Sequence, residues 1–140
     1  MIKKCLSLAV IACLTGQVAI ASGKETYSCR FEGYGTAAER SYIPEVVRLV
    51  LNSAEKSVLV GVSFKGPVKG KLWPAEVSGF GKKKTIVRWR FNNVETKGST
   101  ELSLDYTLRL HNGNKTVTVR AWPRGYDDDI RGKGSCQLIS

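Results

Sequence analysis

The amino-acid sequence predicts an all-β protein: a single antiparallel β-barrel, or a compact sandwich, of about eight strands with its terminal strands joined by one disulfide. Three observations carry this. Apolar residues recur with a period of two, and no long stretch shows a helical period. Turn-forming residues punctuate the chain at roughly ten-residue intervals. Cys29 and Cys136 lie near opposite ends of the 140-residue chain, so a bridge between them would clasp the first strand to the last. A barrel is favoured over a sandwich because closing the sheet removes the open edges that invite aggregation.

The first strand is Thr26 to Glu32, which carries Cys29. Thr36-Ala-Ala-Glu39 has the form of a capping box and is the one hint of helix, a turn or two at most. Val46 to Leu51 and Ser57 to Phe64 read as a hairpin turned by Asn52-Ser53-Ala54-Glu55. Their near-continuous apolarity fits either strands covered on both sides or a register that the pattern does not fix. Val68 to Val77 is interrupted by Pro74, which places it at an edge or a bend. Thr85 to Phe91 sets Val87, Trp89 and Phe91 against Ile86, Arg88 and Arg90, and Lys97 to Thr100 turns it into the next strand.

That next strand, Leu102 to Leu110, is apolar or aromatic at every even position and runs into Asn112-Gly113, a strong hairpin signal. A two-residue turn there would set Leu108 opposite Val117, Tyr106 opposite Val119 and Asp105 opposite Arg120, with the apolar faces of Leu102 to Leu110 and Lys115 to Trp122 coinciding. Lys133 to Ile139, with Cys136, is the last strand.

Residues 1–21 read as a signal peptide and 22–140 as the single barrel domain. Met1-Ile-Lys-Lys forms a positive n-region, Cys5 to Ile20 an apolar run, and Ala19-Ile20-Ala21 a small-x-small cleavage site. Cleavage there removes Cys5 and Cys13, leaves Cys29 and Cys136 as the only pair, and implies a periplasmic or secreted protein. Val10-Ile11-Ala12-Cys13 offers the alternative of a lipoprotein anchored through Cys13, but it would leave an apolar stretch, Leu14 to Ala21, where a polar tether is expected.

The chain carries 22 Lys and Arg against 12 Asp and Glu. Without Lys3 and Lys4, 20 basic side chains face the same 12 acidic ones, a net +8. Most of that excess lies between Lys65 and Arg90, where Lys65, Lys69, Lys71, Lys82, Lys83, Lys84, Arg88 and Arg90 are opposed by Glu76 alone. Such a patch concentrates anionic partners, although basic turns also serve solubility.

Catalytic chemistry has little to build on. His111 is the single histidine, beside the Asn112-Gly113 turn, and a general base needs an oriented partner and a pocket. No zinc-type ligand spacing occurs, and the sequence implies no cofactor. Asp127-Asp128-Asp129 clusters carboxylates of the kind calcium takes, but consecutive side chains diverge, and Arg124 and Arg131 flank the run as neutralising partners. By strand parity, Arg88 and Arg90, then Asp105, Thr107 and Arg109, then Thr116, Thr118, Arg120 and Trp122 share the outer face. This stripe of Arg88, Arg90, Arg109 and Arg120 with Trp122 at one end has the residue types that anchor anionic ligands and interfaces. Lys82-Lys83-Lys84 would extend it. Nucleic acid is disfavoured: Trp89, Phe91 and Tyr106 fall on the apolar parity, where they cannot stack on bases.

Gly125-Tyr-Asp-Asp-Asp-Ile-Arg-Gly-Lys-Gly-Ser-Cys136 resembles the ends of a group of small exported bacterial β-proteins, in which a Gly-Tyr-Asp turn leads to a glycine-rich strand ending in cysteine. The likeness extends loosely through the Leu102–Trp122 hairpin and implies no activity or site residues. A second resemblance, to periplasmic lysozyme inhibitors, rests on Ser78-Gly79 in a basic loop; the tryptophan-rich segment of that pattern is missing, and a cationic lysozyme would repel a +8 partner. The residues therefore suggest a non-enzymatic binding module that presents a basic face to an anionic surface or acidic protein. A carrier of an apolar small molecule in the barrel mouth is the alternative, with bulky Leu104, Tyr106 and Trp89 arguing for a filled interior.

Overall fold

A computed structural model describes residues 23–95, 101–125 and 127–139; the segment read as a signal peptide, with Cys5 and Cys13, lies outside the described residues. The strands are β1 (Lys24–Gly33), β2 (Val46–Asn52), β3 (Ser57–Ser63), β4 (Trp73–Ser78), β5 (Lys84–Glu95), β6 (Glu101–His111), β7 (Thr116–Pro123) and β8 (Ile130–Leu138). One short helix, α1 (Ala37–Arg40), follows β1, and the Thr36 hydroxyl accepts from the Glu39 N–H at its start, as the capping pattern predicts. Each strand pairs antiparallel with its sequence neighbour, and β8 returns to pair with β1, so the sheet is a closed up-and-down barrel.

Closure is pinned where the sequence places it. Cys29 faces Cys136 directly across the β1–β8 pair, Cα to Cα 3.9 Å, and the two sulfurs are bonded inside the barrel. The inward positions before Cys136 on β8 are Gly132 and Gly134. A Cβ on Gly132 would press on Ile43, and one on Gly134 would collide with the Arg30 carbonyl, so β1 can approach β8 closely only because both are glycine. This gives the glycine-rich C-terminal segment a physical meaning.

The interior is filled by alternate residues of every long strand: Tyr27 and Phe31, Val47 and Leu49, Val58 and Val60, Val87 and Trp89, Leu104 to Leu110, Val117 and Val119. Trp89 stacks on Tyr106 with ring centroids 5.2 Å apart, and Phe91 meets Tyr106 edge-on at 5.6 Å. The segment after α1 covers one barrel mouth with Ile43 and Pro44, both buried, and the Tyr106 hydroxyl donates to the Tyr42 carbonyl at 2.7 Å. Phe80 packs against the core from the opposite mouth.

Three expectations are corrected. In the β6–β7 hairpin Leu108 faces Val119, Tyr106 faces Ala121 and Thr107 faces Arg120, an offset of two residues from the two-residue turn. The loop is four residues long, with the Lys115 N–H bonded to the His111 carbonyl and Lys115 itself at φ 61°. Asn112 does not form a tight turn because its side chain is engaged elsewhere, accepting from Thr85 Oγ1 at 2.9 Å and donating to the Lys82 carbonyl. An offset of two preserves which side chains face inward. The β2 and β3 strands, in turn, are not covered on both sides: Val50 and Leu59 point outward as a pair, and Leu59 is exposed. Their loop, residues 53–56, repeats the four-residue form with Lys56 at φ 53°. β4 begins only at Trp73, because residues 64–72 fold back so that Val68 and Leu72 lie against Gly61.

The disulfide closes a separation of 107 residues, so in the chain-entropy model its loss costs about 4–5 kcal/mol. Urea denaturation of Cys29→Ser/Cys136→Ser against the oxidised protein is expected to show a loss of that order. A second expectation concerns alkaline pH. Burial, then the hydrogen bond to Glu25 and its charge, push the Tyr27 phenol up to about 12; burial, with a smaller contribution from Tyr42, raises Tyr106 further. A phenol whose folded pKa is raised contributes stability fully below its ordinary value near 10, and that contribution is lost as pH rises through the folded value. Stability should therefore fall above about pH 10, and absorbance titration of the wild type against Tyr27→Phe and Tyr106→Phe should show these two phenols ionising late.

Candidate functional site

The register sets the predicted outward residues into rows across the barrel wall. One row runs Glu76, Arg88, Thr107, Arg120 and Arg131 through β4 to β8. Beside it lie Arg90, Asp105 and Trp122 on one side, and Ile86, Arg109, Thr118 and Lys133 on the other. Arg88, Arg90, Arg109, Arg120 and Trp122 thus share one outer face, and Asp105, Thr107, Arg109, Arg120 and Trp122 line a shallow groove of about 320 Å³ on it. Trp122 is 44% exposed.

Charge on this face is largely matched internally. Arg90 Nε lies 2.5 Å from Asp105 Oδ1, and Arg124 approaches the other oxygen at 3.7 Å. The hydrogen bond and charge of Asp105 raise the pKa of Arg90. Arg120 and Arg131 both converge on Asp129 Oδ2, at 2.8 and 3.1 Å, and the Asp129 side chain is only 16% exposed. One carboxylate of the Asp127–Asp129 cluster is therefore held by guanidinium groups, and no group of three acidic, His or Cys residues among those described is placed to hold a metal ion. Arg124 turns to Asp105 rather than to this cluster. Among the described residues, Arg88 and Arg109 have no carboxylate within ion-pair distance.

The lysines form a separate surface. In an up-and-down barrel every second turn falls at the same end. The end holding Lys82, Lys83 and Lys84 also holds the start of β1 with Lys24, the 53–56 turn with Lys56 and the 112–115 turn with Lys115. Backbone bonds tie these turns together: the Asn112 N–H reaches the Lys83 carbonyl at 2.9 Å, and the Ser53 N–H reaches that of Gly23 at 3.0 Å. Lys115 Nζ lies 5.3 Å from the centre of the Tyr27 ring. Leu138 and Ile139 are exposed at the same end, 56% and 49%. Ser78-Gly79 lies in the turn bearing Lys82 to Lys84, where Gly79 has φ 82° and a Cβ would collide with the Lys84 carbonyl.

Lys24, Lys56 and Lys115 are absent from the sequence-derived site because they are far apart in the chain. The alternation of turns between barrel ends was the signal that could have grouped them. His111 pairs with Lys84 on this end and is half-buried. Comparison with models of protein families, with curated proteins and with solved structures finds no match to this chain.

Asp129→Asn removes the charge that two guanidinium groups share. It is expected to lower the urea midpoint by the equivalent of about 1 kcal/mol, with a smaller loss in high salt because the arginines are partly exposed.

Proposed function

We propose that this protein is an exported, non-enzymatic binding module that docks on anionic lipid surfaces through its lysine-bearing barrel end. The observation that carries this is the gathering of Lys24, Lys56, Lys82, Lys83, Lys84 and Lys115 at one end. The described acids there are Glu25, which accepts from the Tyr27 hydroxyl, and Glu55. Each lysine near an anionic bilayer contributes on the order of 1 kcal/mol, and the exposed Leu138 and Ile139 supply an apolar contact at the same level.

Lipid is favoured over an acidic protein by the path of the chain. The described residues begin at Gly23, beside the 53–56 turn, which puts the start of β1 at the basic end. An anchor through Cys13 would hold that end against the bilayer, and a soluble exported form would reach it by charge. Export itself is supported by the buried disulfide, since such bridges persist in oxidising compartments. Arg109, opposite Ile86 and near the basic end, extends the basic surface along the barrel wall.

Two of the lysines strengthen the reading. Lys56 and Lys115 both adopt a left-handed backbone conformation that costs a non-glycine residue roughly 1 kcal/mol. Glycine would remove that cost, so lysine at both positions fits a role for the side chains.

Cosedimentation of the processed protein with vesicles containing about 30% phosphatidylglycerol, at about 0.1 and 0.5 M salt, tests the proposal. Binding should require the anionic lipid and weaken strongly with salt. Lys56→Gly/Lys115→Gly should keep or raise stability while weakening binding several-fold. Equal binding to neutral vesicles, or salt-insensitive binding, would sink the proposal. Retention on an acidic protein column without vesicle binding would instead support the acidic-partner reading.

A further inference from the structure

The barrel wall is incompletely zipped at one place. β4 pairs with β3 through Trp73, Pro74 and Ala75, but with β5 only through Glu76, Val77 and Ser78. Continued pairing would set Ala75 against Trp89, Pro74 against Arg90 and Trp73 against Phe91. Pro74 has no N–H to offer such a ladder. The seam left open forms a groove of about 680 Å³, within the range of roughly 300–1,000 Å³ typical of small-ligand sites.

Its lining has two kinds of chemistry. Trp73, Trp89 and Tyr106 give it a ring-rich floor that reaches the barrel interior, and Phe91 supports them with edge contacts to Trp73 at 5.4 Å and Tyr106 at 5.6 Å. Arg88 and Arg90 stand on the lip. Of the two acids there, Asp105 is held by Arg90 and Arg124, which leaves Glu76 to face Arg88 across the strands. Counting Arg124, the lip carries one excess positive charge. Trp89 is 7% exposed, and its indole Nε1–H has no hydrogen-bond partner within the protein. A buried donor without an acceptor is costly, and an incoming acceptor relieves that cost.

We infer that the β4–β5 seam is a binding site for a small planar aromatic carboxylate. The ring would lie on Trp73 and the edges of Trp89 and Tyr106. The carboxylate would take the Arg88 fork and offer an acceptor to the orphaned indole N–H. This site differs from the lysine-bearing end in both location and ligand, and from the barrel mouths, which Ile43, Pro44 and Phe80 occupy.

The test is titration of the processed, oxidised protein with 2-naphthoate, followed through the indole N–H signals of its three tryptophans. Assignment comes from Trp73→Phe, Trp89→Phe and Trp122→Phe. The Trp73 and Trp89 signals should move while that of Trp122 stays. Neutral 2-naphthamide should bind about tenfold more weakly, and acetate should cause no shift at the same concentration. Arg88→Gln, an exposed position whose fold the same spectrum verifies, should weaken naphthoate several-fold and leave vesicle binding unchanged. Replacing Lys82, Lys83 and Lys84 by glutamine should do the reverse. No shift at Trp73 and Trp89, a shift confined to Trp122, or equal affinity for the amide would each overturn the inference.

Discussion

Everything in this structure depends on the approach of β1 to β8. A meander of eight strands leaves two edges, and only their pairing converts an open sheet into an enclosed interior. That pairing is intimate because the inward row of β8 is Gly132, Gly134 and Cys136. The glycines let the backbones and the neighbouring Ile43 and Val119 close in, and the disulfide fixes the register at its far end. A slip of one residue would bring Arg131 and Lys133 into the core, so the bridge selects a register as well as stabilising one.

The same constraint explains what could be seen in the sequence and what could not. A period of two states which side chains share a face, so the inward sets of β5, β6 and β7 and the outer arginine face were legible. A period of two is blind to an offset of two, and the β6–β7 register was misplaced by that amount. What decided it was Asn112, whose side chain bonds to Thr85 and Lys82 across the barrel end, a long-range demand that no local turn signal contains. The β2–β3 hairpin formed as expected, but cover on both of its sides did not, for another reason. Val50 and Leu59 are apolar yet outward, and such residues are invisible to a rule that equates apolar with inside.

The candidate surfaces divide along the chemistry of the two cations. Arginine dominates the barrel side, where Asp105 on β6 and Asp129 just before β8 each gather two guanidinium forks. Lysine dominates one end, carried mainly by turns. Its compact, hydrated charge on a flexible stem suits a surface of many shallow anionic groups more than a fixed bidentate partner. The sequence showed one basic stretch from Lys65 to Arg90. The fold splits it: Arg88 and Arg90 stay on the side, Lys82 to Lys84 join lysines from other turns, and Lys65, Lys69 and Lys71 lie on the segment that precedes β4.

The seam beside Pro74 shows why closure and binding are compatible in so small a barrel. Side chains from every long strand pack the interior, and the wall offers a separate place for a binding site. A wall built of continuous ladders presents only its outer side chains. Stopping one ladder three residues early exposes the edges of core rings without opening the core, and proline makes the stop permanent because it cannot supply the missing donor. The edge this leaves is short, flanked by Arg88, Arg90 and Glu76, and so protected from pairing with another chain by charges on its own lip. The orphaned Trp89 indole at that break marks where the stability gained by closure is not fully collected, and such a position can be completed by something other than the chain itself.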